Sequence, residues 1–155
     1  ELTAQLIGLA KQMTDYEYIA SVPGIGDATI VDLLAEIGSF THYTHPRQLI
    51  KLAGLTLREN SSGQQKGQKR ISKRGRRKLR ALLFRVMMPI ILHNPAFKAL
   101  HDYYTTRTKN PLRKKQSIVG LCGKLLKVLH ALCNKKKYFD SDQMMNDFTQ
   151  PKAAA

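Results

Sequence analysis

The stretch Asn60-Ser61-Ser62-Gly63 and the cations that follow it are the residues of this 155-residue chain best placed to do chemistry. A serine hydroxyl is a weak nucleophile until a base takes its proton or nearby cations stabilise the charge that develops on attack. The sequence supplies the cations: Lys66, Lys69, Arg70, Lys73, Arg74, Arg76, Arg77, Lys78 and Arg80 all fall within GQQKGQKRISKRGRRKLR. Gly63 would let the backbone come close to a phosphate. The chemistry in view is attack on a phosphodiester by one of the two adjacent hydroxyls, Ser61 or Ser62. A Ser-Ser-Gly turn is commonplace, however, and no His-Asp partner stands at a readable spacing, so spacing alone leaves an ordinary loop.

A second constellation is Ser21-Val22-Pro23-Gly24-Ile25-Gly26-Asp27, followed by a helical pattern. It matches the hairpin of a helix-hairpin-helix element. Gly24 and Gly26 free the backbone to turn, Ile25 anchors the turn in the core, and amides at the next helix start can face a phosphate. Asp27 opposes close phosphate approach. An architectural αα turn is therefore the alternative to nucleic-acid contact.

The charge pattern decides the class of partner. The chain has 26 Lys plus Arg against 11 Asp plus Glu, a formal +15. Residues 1–59 hold four basic and seven acidic residues, whereas residues 60–139 hold twenty-one basic residues against Asp102 alone. Such a block repels itself unless a polyanion neutralises it, and nucleic acid is the expected partner. Tyr43, Tyr103, Tyr104 and Tyr138 could supplement phosphate contacts, without the regular aromatic spacing of a base-stacking platform. No run of eighteen apolar residues and no basic-then-apolar leader opens the chain, so no membrane partner is expected.

The elements that must position these groups are mainly α-helical: apolar residues recur at three and four, and strict alternation is rare. Leu2, Leu6, Leu9 and Met13 form a stripe suited to the core or to a partner. Helices are expected over 29–37, stopped by Gly38, and from a Thr44 cap to Gly54. Residues 55–71 lack helical periodicity and are expected to form a basic loop or short β-ribbon. Ser72 is the expected cap of a helix carrying Leu79, Leu82, Leu83, Val86, Met87, Ile90 and Ile91, bent at Pro89. Asn94-Pro95 and Asn110-Pro111 are expected to open two more helices. The strongest stripe, from Ile118 to Cys133, marks a core or dimer helix. Cys122 and Cys133, three turns apart on that helix, cannot bridge, and two thiols suit a reducing cytoplasm. The five histidines are scattered without zinc-ligand spacing.

Taken in order, VPGIG, LLAEIGSF, LIKLAGL, SSG, KGQKRISKRGRRKLR and GLCGKLLKVLHAL resemble the C-terminal domain of insertion-sequence transposases of the IS110/IS116 type, the bridge-RNA-guided DNA recombinases. The resemblance runs from about Tyr18 to Tyr138 and departs from the family pattern at Leu57, where proline is common. It implies a mainly α, helix-hairpin-helix-containing domain whose serine of the Ser-Gly pair, here Ser62, cleaves DNA and joins it covalently. It implies DNA and a guide RNA as partners, a homo-oligomer, and a prokaryotic, nucleoid-associated cytoplasmic setting. Divalent metal, expected to be Mg, would be held by four acidic residues of a separate N-terminal domain, with no cofactor in the present residues. Glu1 and the closing Pro-Lys-Ala-Ala-Ala suggest an excised piece. Residues 1–17 are expected to be a linking helix, 18–139 the transposase domain, and 140–155 a tail.

Overall fold

The structure, a computed structural model, describes residues 2–58 and 70–149. Ser61, Ser62, Gly63, Lys66 and Lys69 lie outside the described residues. Among those described, eight α-helices and one short ribbon follow in the order α1 (Leu2–Lys11), α2 (Tyr16–Ala20), α3 (Asp27–Ile37), a 3-10 turn (Phe40–His42), α4 (Pro46–Leu52), β1 (Leu57–Arg58), β2 (Arg70–Ile71), α5 (Arg77–His93), α6 (Pro95–Thr106), α7 (Lys114–Lys135) and α8 (Ser141–Thr149). The mainly α expectation holds, and so does the short ribbon: β1 and β2 pair antiparallel, Leu57 opposite Ile71 and Arg58 opposite Arg70.

α7 is the centre of the fold. Leu121, Cys122, Leu125, Leu126, Leu129 and Cys133 are buried on it, and it packs on α2, α4, α5, α6 and the 3-10 turn. It is the one helix among the described residues long and apolar enough to cross a membrane, and half of its apolar stretch is buried inside the fold. That is the pattern of a core helix. Around it, Ile19, Ile30, Leu33, Phe40, Leu49, Leu79, Leu83, Met87, Ile90, Phe97 and Leu100 complete a single core. The stripe on α1 behaves otherwise. Only Ala10 of α1 is buried, and Leu2, Leu6, Leu9 and Met13 face outward, Leu2 at 72% exposure.

Three expected caps are displaced, because the helix is capped by a different group or starts at a later residue. His45, not Thr44, caps α4: its Nδ1 accepts from the Arg47 amide at 3.1 Å, and Gln48 Oε1 accepts from the Thr44 and His45 amides. Ser72 does not cap α5. Its Oγ accepts from the Arg74 amide within a turn, and α5 starts only after Gly75, with Arg76 at the cap position. Asn110 does not open α7 either. It sits at φ 53 in a turn, its carbonyl accepts from Arg107 Nε at 2.8 Å, and α7 begins at Lys114. The Asn94 cap is as expected, with Oδ1 accepting from the amides of Ala96 and Phe97.

Two connections escaped the sequence reading. Asp15, 2% exposed, precedes α2 but makes no side-chain cap there; its Oδ2 accepts from the Phe40 amide at 2.8 Å and from Ser39 Oγ at 3.0 Å, tying α2 to the 3-10 turn. His130, buried on α7, donates from Nε2 to the Tyr43 carbonyl at 2.7 Å. Both groups lie far in sequence from their partners, and no local pattern announces them.

Candidate nucleic-acid interface

The hairpin of Gly24 and Gly26 joins α2 to α3, with Val22 and Ile25 buried beneath it. Ile25 anchors the turn as its residue type suggested. The two glycines have different roles. Gly24 lies at φ 99, and a Cβ there would stand 2.7 Å from the Cα of Ile90 and 3.1 Å from the carbonyl oxygen of Pro89. It is the point at which the hairpin backbone touches the backbone of α5. Gly26 caps α3 in an extended conformation, with nothing within 4 Å of a Cβ position. Asp27, at the same helix start, accepts a hydrogen bond from the Tyr16 hydroxyl, and this bond raises the phenol's pKa above its ordinary value. Asn94, 1% exposed, fastens the hairpin from the other side by donating from Nδ2 to the Pro23 carbonyl at 3.3 Å. Gly24 is thus packed into the fold, while Gly26 remains open at its surface.

The described part of the basic block divides in two. Arg76 and Arg80 face the carboxyl ends of helices, where unpaired carbonyls and the negative end of the helix dipole favour a cation. An Arg76 Nη1 donates to the Glu36 carbonyl in the last turn of α3, and the same guanidinium lies 3.9 Å from the Glu36 carboxylate. Arg80 is half-buried and donates from Nη1 to the Ala53 carbonyl at the end of α4. That helix end is closed by Gly54 at φ 71, whose amide bonds Lys51 while the Leu55 amide reaches Ile50. A Cβ on Gly54 would stand 2.6 Å from the Arg80 guanidinium, and one on Gly75, at φ 152, would collide with the Leu52 carbonyl. These close approaches press residues 72–76 against α4: Ser72 donates to Thr56, Lys73 to Gly54 and Arg76 to Leu52 through their backbone amides.

Arg70, Lys73, Arg74, Arg77 and Lys78 are exposed, as is Arg76 beside its bond to α3. The strand pairing of Arg58 with Arg70 brings together the two ends of the stretch that carries the serines, and these cations continue from one end of it. Lys73 holds φ 53, so the chain turns between the ribbon and α5. Exposed cations thus follow one another from the ribbon base into the first turn of α5, with no acid in sequence between Arg70 and Asp102. Such a surface attracts phosphates without reading bases.

Most of the other chemically capable groups are committed to packing. His101 Nδ1 lies 2.8 Å from Ser117 Oγ, but Ser117 is fully buried between α6 and α7. Burial pushes the thiols of Cys122 and Cys133 up to about 12, with the nearby Asp15 charge adding to the second, so neither is a thiolate near neutrality. Tyr43 donates to the Ile37 carbonyl at 2.9 Å, and Tyr138 donates to Glu17 and packs on Tyr18. Tyr43 is therefore held by the fold, whereas Tyr138 keeps 61% of its surface exposed. No group of three or more His, Cys, Asp or Glu side chains comes together among the described residues.

Residues 16–102, more than half of the chain, match the model of the IS116/IS110/IS902 transposase family. The pilin gene-inverting protein of Moraxella bovis is 30% identical over 123 residues, covering 79% of this chain and 38% of that protein. The transposase for insertion sequence element IS1111A of Coxiella burnetii is 34% identical over 89 residues, 57% of this chain and 24% of its own length. An insertion element IS110 protein of 43.6 kDa from Streptomyces coelicolor is 25% identical over 140 residues, 90% of this chain and 34% of its own. The chain therefore spans well under half the length of these relatives. The matched segment takes in the hairpin, the ribbon and the whole of α5, and the chain belongs to the IS116/IS110/IS902 transposase family.

Proposed function

We propose that this chain is the nucleic-acid-binding and strand-cleaving part of a DNA transposase, with Ser62 as nucleophile and Ser61 as its alternative. The observation that carries the reading is the exposed cluster Arg70, Lys73, Arg74, Arg77 and Lys78 beside the paired ribbon from which the serine stretch departs. In the reaction, the serine Oγ–P bond forms as one P–O bond to deoxyribose breaks. The serine proton passes to a base, the departing sugar oxygen takes up a proton, and a phosphoserine link retains the DNA end for rejoining. The cations neutralise the phosphate, and Lys66 and Lys69 belong to the same run.

Arg76 and Arg80 take a different role from the one their charge suggests: they hold helix ends, and so set where the exposed cations stand. Gly24 is assigned to architecture, and Gly26 with the amides after it is the part of the helix-hairpin-helix unit open to a phosphate. Four further readings rest on family membership: a guide RNA beside the DNA, a homo-oligomer, a nucleoid-associated cytoplasmic setting, and a separate metal-binding domain. The outward stripe of α1 supports the homo-oligomer, and sedimentation of the chain with and without nucleic acid tests it.

The deciding experiment traps the covalent intermediate. A DNA substrate nicked beside the scissile phosphate is incubated with the full-length parent protein and its Ser61→Ala and Ser62→Ala variants. A serine-linked adduct lost only in Ser62→Ala supports the assignment. Loss only in Ser61→Ala moves it to the neighbour, and recombination surviving in both variants removes the serine chemistry and leaves a binding module.

A further inference from the structure

A second cationic surface lies at the turn from α6 to α7, among residues that neither the run from Lys66 to Arg80 nor the hairpin includes. Arg107, Lys109, Arg113, Lys114 and Lys115 fall within nine residues, and the sequence holds no acid from Tyr103 to Phe139. Lys109, Arg113, Lys114 and Lys115 are exposed. Beside them an open hollow of about 440 Å³ is lined by Tyr103, Arg107, Thr108, Lys109 and Asn110. Tyr103 shows 46% of its surface and tilts against Tyr104 with ring centroids 5.8 Å apart; the Arg107 guanidinium lies 5.6 Å from the Tyr104 centroid.

The turn is preformed. Arg107 Nε donates to the Asn110 carbonyl at 2.8 Å, Asn110 takes φ 53, and the Leu112 amide closes on the Tyr104 carbonyl at 2.7 Å. A rigid turn loses little conformational entropy when it binds, so its cations are presented at low cost. α5 and α6 meet at Asn94, and this surface sits at the end of α6 remote from that junction, as the basic start of α5 does on its own helix.

We infer that the α6–α7 turn is a binding site for single-stranded nucleic acid, with Lys109, Arg113, Lys114 and Lys115 on the backbone phosphates and an unpaired base stacked on Tyr103 in the hollow. A cationic track alone would serve duplex and single strand alike. The aromatic face selects between them, because the bases of a duplex are already stacked on each other and only an unpaired base offers its face to a ring. The hollow is open to solvent beside the exposed Tyr103 ring, so a base can reach that ring from outside. This site is independent of the serine assignment and rests only on the reading that the chain handles nucleic acid.

The test compares a labelled oligothymidine with a DNA hairpin duplex by fluorescence anisotropy across a salt series. It uses the chain, Tyr103→Ala, Tyr103→Phe, a Lys109→Gln/Lys114→Gln/Lys115→Gln variant, and Arg77→Gln/Lys78→Gln. Circular dichroism confirms that each is folded. Tyr103→Ala should weaken the single strand roughly fivefold to a hundredfold, and Tyr103→Phe should restore it. The triple lysine variant should flatten the single-strand salt slope by about 0.7 for each phosphate it no longer neutralises. Arg77→Gln/Lys78→Gln should act mainly on the duplex. Unchanged single-strand affinity in both Tyr103→Ala and the triple variant overturns the inference while leaving the α5 surface intact. Equal losses on single strand and duplex overturn the stacking assignment, and a chain that binds neither probe overturns the nucleic-acid reading as well.

Discussion

Gly24→Ala is the substitution that separates an architectural hairpin from a phosphate-binding one. The new Cβ would stand 2.7 Å from the Ile90 Cα, 3.1 Å from the Pro89 oxygen and 3.2 Å from the Ile90 nitrogen. Carbon atoms in contact prefer about 3.5–4.0 Å, so the hairpin and α5 must separate by roughly 1 Å. These are backbone atoms, and no rotamer change relieves them. Overpacking of this kind costs about 1–3 kcal/mol, and holding alanine at φ 99 adds about 1–2 kcal/mol more. The expected loss is therefore about 2–5 kcal/mol, a large part of the roughly 5–15 kcal/mol that holds a typical domain together. Gly26→Ala is the matched control: its backbone is extended and its Cβ meets nothing within 4 Å. The poorer cap and the stiffer unfolded chain nearly offset each other, giving a change within about 1 kcal/mol. Urea unfolding followed by circular dichroism reads both variants, and duplex affinity is measured alongside. A Gly24→Ala protein that unfolds within about 0.5 kcal/mol of the parent would refute the close approach of hairpin and α5, since no packed core absorbs that overlap freely. A large loss of duplex affinity in stable Gly26→Ala would locate phosphate contact at the α3 start.

Asn94→Ala should cost about 2–3 kcal/mol in the same urea assay, because it removes the cap of α6 and strands the Pro23 carbonyl; Asn94→Asp should recover the cap but not the link to the hairpin. Asp15→Ala should cost a similar amount, about 2–3 kcal/mol, by leaving the buried Phe40 amide without its acceptor. Alkaline pH should destabilise the chain through its thiols. The folded state keeps both protons until about pH 12, whereas the unfolded chain sheds them near 9, so stability falls as pH rises above that lower value. Between about pH 8 and 9.5 the two thiols together should remove roughly 1.5 kcal/mol, and this share of the pH slope should vanish in Cys122→Ala/Cys133→Ala. Arg77→Gln/Lys78→Gln should flatten the duplex salt slope by about 1–2, with little change in urea midpoint.

Helix periodicity carried most of the fold into view, because α5 and α7 bury stripes with spacings that belong to one helix face. The caps were less legible. Thr44, Ser72 and Asn110 are good capping types by residue chemistry, yet His45 caps α4, while α5 and α7 begin later than Ser72 and Asn110, with Arg76 and Arg113 at their cap positions. Gly75 decides one of these cases: its packing against the Leu52 carbonyl sets residues 72–76 against α4, and α5 starts beyond them. The outward face of α1 carries the same signal as a core helix, and periodicity cannot say whether a stripe meets the core. At the interface, charge density located the cluster but could not distinguish the arginines that hold helix ends from those that face solvent. Asp15 and His130 were invisible for another reason, as each meets its partner only after distant segments have packed.

That division among the arginines changes what the net charge implies for binding. A salt slope counts phosphates neutralised, not cations in the sequence. Of the seven described cations between Arg70 and Arg80, Arg76 and Arg80 donate to the ends of α3 and α4, Arg76 with 54% of its side chain still exposed, and the other five are exposed without such a bond to a helix end. Five duplex contacts give a slope of about −4.5, whereas seven would give about −6. Arg80→Lys bears on the same point from the other side. It keeps the charge but replaces the guanidinium at the Ala53 carbonyl with an ammonium of different reach and geometry. If Arg80 acts by holding the end of α4, Arg80→Lys should lower stability by about 1 kcal/mol and leave the salt slope unchanged. If it acts as one more phosphate ligand, Arg80→Lys should be silent in both measurements and Arg80→Gln should flatten the slope by about 0.9. The two roles therefore separate on a single side chain, and the positions of the exposed cations follow from which of them Arg80 fulfils.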